Sequence, residues 1–525
     1  MLFRRSSAAD RAPVVVGWAL GLACFVYLLT LPPTLGSADE SYLLYGAKRV
    51  LQGQALYRDF FDFVTPGSFY LYALAYAVGG VSITTARVTT ALLNALSATC
   101  TYFLTRHVAS MAEAVVTGLL VVVICVPVWN MASNHWMATS LGLGTTAVLL
   151  APRWADSTAF RPGAAGALAG FAVCSNQSHG VWLIVWLVIT VPMLALAREG
   201  SDRRRRCLCE LVWTAVGGAA VCVAVLGYAV WRSSLAEMLY ATHTWVVTNY
   251  RNYNVGKMSW SGYGLAWADG VYYTYLWLFE CIPVILGIEA VSLFWGIWRH
   301  GLRSHLERTV LLLLAVSAVA SIRYYPDVIH VAFVAPFSFV VIAGMIHRVR
   351  TAFAFMQAPA AKIVMRLVLV GVLAIVLLKG WSNASRAWRD NPTLYQTAFG
   401  TLASLEGKEA TLRDLRERLE MNTGPPPRLF AYQSDAWIYL TLPADNPTPF
   451  ALLRPVYNSP GQIQEAIDWL ERDPQARVVV NLLAPEPGDP FMGYLNGHFQ
   501  DVAGVGPRIV RGGPVYRIFE RKVHR

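Results

Sequence analysis

The sequence predicts a polytopic α-helical membrane protein ending in a small soluble α/β domain, and three observations carry that prediction. The 525 residues are 55% hydrophobic and only 14% charged, whereas a soluble domain carries about 25% charged residues. Apolar stretches at 13–35, 84–105, 112–130, 209–231, 270–298 and 366–382 approach or exceed the roughly 20 residues that cross a bilayer as a helix. After Ser382 the composition turns polar, with turn-rich and strand-like segments.

The first apolar run follows Arg4, Arg5 and Arg11 and ends in Gly36-Ser37-Ala38, which mimics a signal-peptidase site. The run is longer than the roughly 7–15 residues of a signal h-region, and further spans follow, so it reads as an uncleaved membrane helix. The net charge of +11 does not indicate a nucleic-acid partner. The basic residues sit in short turns between apolar runs, which is topology signal. Arg4, Arg5 and Arg11, then Arg106, Arg153 and Arg161, Arg198 with 203–206, 299–308 and 348–366 all read as cytoplasmic, while the turns at 131–135 and 178–180 carry no lysine or arginine.

This register holds only if the apolar piece 69–78, about ten residues long, lies in the interface or re-enters without crossing. The result is about eleven spans in residues 1–382, with the N-terminus cytoplasmic and an external loop at 36–83. A soluble extracytoplasmic domain follows at 383–525, and the expected location is a bacterial inner (cell) membrane with that domain periplasmic or extracellular. Within the domain the pattern predicts a helix over 401–421, a break at Pro425-Pro426-Pro427, and strands at 429–432, 478–483 and 515–519. The eight cysteines lie in apolar spans or beside the arginine run 203–206, so no disulfide framework or zinc pattern is expected.

The polar residues that carry chemistry crowd into the first external loop. Asp39 and Glu40 follow the first span, and a carboxylate at the membrane surface can act as a base. Tyr42, Tyr45, Lys48, Arg49, Gly53, Tyr57, Arg58, Asp59, Asp62, Pro66 and Gly67 follow, a mixture that suits a sugar and a phosphate. Elsewhere, Ile322-Arg323-Tyr324-Tyr325-Pro326-Asp327 with His330 forms a short external turn, and Glu280 and Glu289 sit in an apolar segment, either as functional groups or as helix-pairing charges. The loop 232–269, with His243, Trp245, Tyr250, Arg251, Tyr253, Lys257, Trp260 and Tyr263, has the aromatic content of an interfacial belt, with one or two rings left for an acceptor.

Ala38-Asp39-Glu40-Ser41-Tyr42, the stretch to Gly53, Tyr57-Arg58-Asp59-Phe60-Phe61-Asp62 and Thr65-Pro66-Gly67 resemble the first external loop of GT-C glycosyltransferases. The branch resembled contains protein O-mannosyltransferases, lipid A aminoarabinose transferase and rhizobial core glycosyltransferases. The resemblance implies an inverting transfer of a sugar from a polyprenyl-phosphate donor to a glycan, lipid or protein acceptor on the external face. It assigns Asp39 as the base with Glu40 beside it, and Asp62, or else Asp59, near the phosphate or a divalent cation. The leaving phosphate calls for cations or a metal such as Mg or Mn, with Arg58 and Arg323 the external arginines best placed, and no other cofactor is expected. Tyr42, Tyr57, Asn134, His135, Gln177, His179, Asp327 and His330 are candidate substrate contacts.

Two departures bear on the substrate. Asn134-His135 stands where relatives often carry an aspartate, and Ser175-Asn176-Gln177-Ser178-His179-Gly180 stands where they often place a lysine. A glutamine can hydrogen-bond a phosphate but cannot neutralise it. The rival readings are a transporter and a non-catalytic subunit of cell-envelope polysaccharide assembly. A nucleotide-sugar enzyme is disfavoured, because the chain has no strand, glycine-rich turn and helix unit for a diphosphate.

Overall fold

The structure is a computed structural model that describes residues 11–36, 38–151, 157–198, 202–250, 281–353, 359–404, 408–419, 427–434, 436–455, 457–481, 488–505 and 516–522. Glu280 and the loop residues Arg251, Tyr253, Lys257, Trp260 and Tyr263 lie outside the described residues.

Helix α1 (Arg11–Leu29) leads to α2 (Ala38–Leu51) and α3 (Gly67–Gly79), followed by α4 (Ile83–Thr105) and α5 (Met111–Leu120), which continues through one π-helical and one 3-10 turn to Val128. Next come α6 (Asn134–Leu150), α7 (Phe160–Ser175), α8 (Gln177–Leu196), α9 (Arg203–Arg232) and the short α10 (Leu235–Leu239). The helical part closes with α11 (Ile282–His300), α12 (Leu306–Ser321), α13 (Val328–Ala352) and α14 (Pro359–Asp390).

Among the described residues, eight segments, namely α1, Met111–Val128, α8, α9, α11, Leu302–Ser321, α13 and α14, are long and apolar enough to cross a membrane. Their outward faces say what solvent they expect. Only 6% of the most apolar window of α14 is buried inside the protein, and Val14, Trp18, Leu22 and Val26 of α1 point outward. Apolar rows of this length are stable against lipid and costly in water. At 13 residues, α3 is about 20 Å long, short of a bilayer core of about 30 Å.

At one end of the bundle, turn arginines close on buried carboxylates. Arg161 and Arg198 hold Glu210 at 2.7 and 3.0 Å, Arg308 and Arg348 hold Glu289, and His347 and Arg350 hold Glu113. Glu289 therefore joins helices α11, α12 and α13, the helix-pairing alternative of the sequence reading.

Helix α14 runs past residue 382 to Asp390. Strands β1 (Thr393–Thr397) and β2 (Gly400–Ser404) form a hairpin. A mixed sheet then takes the order β3 (Leu429–Tyr432), β4 (Arg477–Asn481), β6 (Tyr516–Arg521), β5 (Phe499–Val505), with β3 and β4 parallel and the others antiparallel. Helices α15 (Lys408–Arg418), α16 (Trp437–Thr441), α17 (Pro460–Glu471) and α18 (Pro490–His498) complete it. The expected helix over 401–421 is thus corrected: its first residues are β2, where Leu402 pairs with Tyr395 and is buried. A leucine-spaced run tolerated either reading, and the hairpin partner decided it.

This part does not stand apart from the bundle. Ala403 donates its N–H to Pro33 O at 3.0 Å, Ile83 to Phe399 O at 2.8 Å and Phe61 to Pro449 O at 3.0 Å. Leu44, Ala47, Phe60, Phe69 and Tyr76 share one apolar core with Phe399, Leu415, Tyr439 and Ile518.

Candidate active site

The site is built around the first turn of α2, where the two acidic residues take opposite environments. Asp39 is exposed, while Glu40 is fully buried. Glu40 Oε1 and Oε2 accept from Arg87 Nη1 and Nη2 at 2.7 and 2.8 Å. Glu40 also accepts the N–H of Gly36 and of Ala132, each at 2.6 Å, and Arg87 reaches the Thr34 carbonyl. One carboxylate thereby locks α2, α4, the connection between α1 and α2 and the turn before α6, which fixes the direction Asp39 faces. Four charge-assisted bonds offset the desolvation of Glu40.

The loop between α2 and α3 is held by its own backbone. Ala55 donates to Asp59 Oδ2 at 2.7 Å, Tyr57 N–H to Phe60 O at 2.8 Å, and Tyr57 Oη to Val64 O at 2.8 Å. Tyr57 takes a positive φ of 77°, unusual for an aromatic residue and stabilised by the two bonds its backbone and phenol make. Arg49, buried beside the ring of Phe60, donates to the Asp59 carbonyl at 2.9 Å. Arg58 and Asp59 pair with each other through two bonds of 2.8 Å at the surface. That pairing holds the Asp59 carboxyl below its usual range and commits both charges to the loop.

Asp62 differs. Its Oδ1 accepts the Val64 N–H at 2.9 Å, yet its carboxyl is pushed up to about 7. Desolvation is the main cause, opposed by the Val64 and Phe63 N–H groups and reinforced by the charge of Asp39. Two carboxylates therefore face each other electrostatically, one exposed and one reluctant to ionise. The phenol of Tyr57, held well above its usual range by burial and then by Asp62, completes this group.

Beyond the loop, the starts of three helices converge. Each is capped by a side chain that accepts the backbone N–H of a histidine: Ser133 for His135, Asn176 for His179 and Asp327 for His330. His135 Nδ1 lies 2.9 Å from His179 Nε2, whose Nδ1 lies 2.9 Å from Ser321 Oγ. His330 Nδ1 meets Asp327 Oδ1 at 2.7 Å, and its ring stands edge-on to His135 at 4.8 Å. Gln177 Nε2 donates to the Phe63 carbonyl at 2.9 Å, tying this cluster to Asp62. At the close contact between α3 and α7, a Cβ on Gly67 would lie 2.6 Å from the Cys174 carbonyl oxygen, so only glycine fits there.

The sequence-predicted residues thus fall into three groups. Asp39, Asp62 and Tyr57 come together, with Glu40 as the buried brace. His135, His179, Asp327 and His330 form one cluster that Gln177 joins to the loop, and Asn134 opens α6 beside it. Arg58 and Asp59 stay with each other, and Tyr42 packs on the shared core. Arg323 is exposed, and its guanidinium has no partner among the described residues. Arg87, which sequence reasoning missed, is the counter-charge of Glu40. No group of three or more metal-ligating side chains occurs among the described residues.

No family model and no curated protein matches this chain. Among solved structures it is similar to the oligosaccharyltransferase of Archaeoglobus fulgidus in complex with Zn and sulfate, at 13% identity and a TM-score of 0.49 over 88% of this chain and 68% of that one. It is also similar to the arabinofuranosyltransferase AftD from Mycobacteria, at 14% identity and a TM-score of 0.42 over 96% and 41% of the two chains. A third is the protein O-mannosyltransferase complex of S. cerevisiae bound to the sugar donor, at 15% identity and a TM-score of 0.36 over 43% and 34%. Likeness at this level concerns overall shape, and the chemistry of this chain follows from its own residues.

Proposed function

We propose that the chain is an inverting, GT-C-type membrane glycosyltransferase that moves a sugar from a polyprenyl-phosphate donor to an acceptor on the external face. The observation that carries the reading is Asp39, an exposed carboxylate on a helix turn locked by the Glu40–Arg87 pair, beside a carboxyl group, Asp62, that holds its proton to about pH 7.

Asp39 takes the proton of the acceptor hydroxyl as that oxygen attacks the anomeric carbon. The bond from the anomeric carbon to the phosphate oxygen breaks, the electron pair leaves with the polyprenyl phosphate, and the configuration inverts. Arg323, with its guanidinium uncommitted, supplies charge-assisted bonds to the leaving phosphate, and Asp62 in its neutral form donates one more. Arg58 contributes less, because its charge is offset by Asp59.

The oxygen chemistry around Asp62 fits a Mg- or Mn-type ion, which takes one or two carboxylates together with substrate phosphates and water. Asp62, once ionised, would hold it in place of the hydrogen bond its neutral form donates, and the ion would supply charge to the phosphate. The elements following α14 form a small extracytoplasmic α/β unit. With α4, α6 and α7 packed inside the bundle, the eight apolar segments become eleven spans, which leaves the N-terminus cytoplasmic. The carrier tail stays in lipid while its head reaches Asp39 between helices. Glu289 is paired with two arginines, which gives this intramembrane carboxylate a helix-joining role in place of a transport one.

Purified protein given polyprenyl-phosphate sugars tests the proposal. Release of polyprenyl phosphate with transfer or hydrolysis of the sugar is expected; folded protein that turns over none of the lipid-linked sugars refutes it.

A further inference from the structure

Phe63 follows Asp62 directly, and its ring belongs to an aromatic group drawn from three distant parts of the chain. Its centroid lies 4.7 Å from Tyr250, 5.3 Å from Trp245 and 6.5 Å from Tyr457. Trp245 and Tyr457 are 5.0 Å apart, and Tyr250 and Tyr457 6.5 Å. The group has a fixed floor and a partly exposed rim. Trp245 is fully buried, with Nε1–H donated to Gln462 Oε1 at 2.9 Å and Phe61 packed against it at 5.2 Å. Phe63, Tyr250 and Tyr457 remain partly exposed.

The backbone is shaped to make this group. Trp245 and Tyr250 are separated by one π-helical turn, Val246–Tyr250, which follows another, Tyr240–Thr244. On an α-helix two residues at that spacing would point roughly 140° apart. The wider π turn brings both rings to one side, as π-bulges often do at functional sites. At the other end, Gln177 holds the Phe63 carbonyl, so the platform is continuous with Asp62 and, through it, with Asp39. Tyr324, exposed beside Arg323, extends it, its phenol within electrostatic reach of the Tyr250 phenol.

We propose that this aromatic group lines the acceptor subsite and that the acceptor is a saccharide, its C–H face against one of the partly exposed rings and its edges bordered by the others, with the attacking hydroxyl toward Asp39. The inference rests on the glycosyltransferase reading and narrows its acceptor. Partly exposed rings with phenol groups at the rim match a sugar, which presents a C–H face edged by hydroxyls. A lipid chain would be served by aliphatic side chains without phenols. An extended peptide would need unpaired backbone groups, which the rings do not offer.

The test uses the full-length protein in nanodiscs on a printed array of defined oligosaccharides, with a peptide array beside it. Wild-type protein is expected to bind a subset of the saccharides above any peptide. Tyr250→Ala and Tyr457→Ala should each bind about tenfold more weakly, while Tyr250→Phe, which keeps the ring and loses only the phenol, should fall between them and wild type, and the thermal midpoint reports that each variant is folded. Binding of peptides in preference, no saccharide binding, or unchanged binding in both alanine variants overturns the proposal. Asp39→Asn separates the two readings, because it should keep saccharide binding while losing transfer. Full transfer by Asp39→Asn, with binding still lost in the tyrosine variants, would overturn the catalytic assignment and leave the subsite standing.

Discussion

Asp39 and Glu40 are adjacent in sequence and use their charges in opposite ways. Glu40 is committed to Arg87 and two backbone N–H groups, and its loss would leave a part-buried guanidinium without a counter-charge. Glu40→Gln should therefore cost about 3–5 kcal/mol, seen as a lower thermal midpoint together with lost transfer. Asp62 behaves differently with pH. Its folded-state pKa of about 7 lies above the usual 3.8, so the folded protein keeps a proton that the unfolded chain has released. Stability from this group is present at low pH and is lost as pH rises toward 7. Asp62→Asn should accordingly melt a few degrees above wild type near pH 8, with the difference closing near pH 4, in thermal scans across pH. The sequence made Asp39 and Asp62 visible through their motif. It hid Arg87, because a lone arginine at the start of α4 looks like an interfacial residue, and its partner lies 47 positions away.

At the scale of elements, two kinds of fastening hold the site still. The loop after α2 is fixed by Tyr57, whose positive φ is tolerated because its phenol bonds Val64 O. Tyr57→Phe removes that bond and should cost about 1 kcal/mol, with faster proteolysis of the loop as a second readout. At the opposite end of the bundle, Glu210 sits with Arg161 at zero exposure for both side chains. Glu210→Gln leaves Arg161 buried beside a neutral group and should lower stability by about 3–5 kcal/mol without changing the acceptor KM. Charged turns were legible as turns from sequence, since arginine clusters mark topology. That Glu210 and Glu289 would each collect two arginines was not legible, because the partners come from distant parts of the chain. Strands β1, β2 and β5 were missed for a similar reason: local pattern allows a strand, but its partner decides it.

At the scale of the molecule, the external loop and the C-terminal part share one apolar core, so the loop is not an appendage of the bundle alone. Truncation after Asp390 removes Phe399, Leu415, Tyr439 and Ile518 from that core. The shortened protein should show the loop between α2 and α3 cleaved by protease where the full chain resists, measured by limited proteolysis in detergent. The sequence announced a membrane bundle and a polar tail through hydropathy alone. It could not announce their joint core, because apolar residues in a loop and in a strand carry no sign of which surface they meet. What the assembly converges on is one exposed carboxylate held in a fixed direction. The most direct measurement is transfer of sugar from a polyprenyl-phosphate donor by Asp39→Asn in membranes, with the amount of folded protein matched to wild type. A fall of about 100-fold or more is expected for loss of the base, and activity equal to wild type would contradict the account.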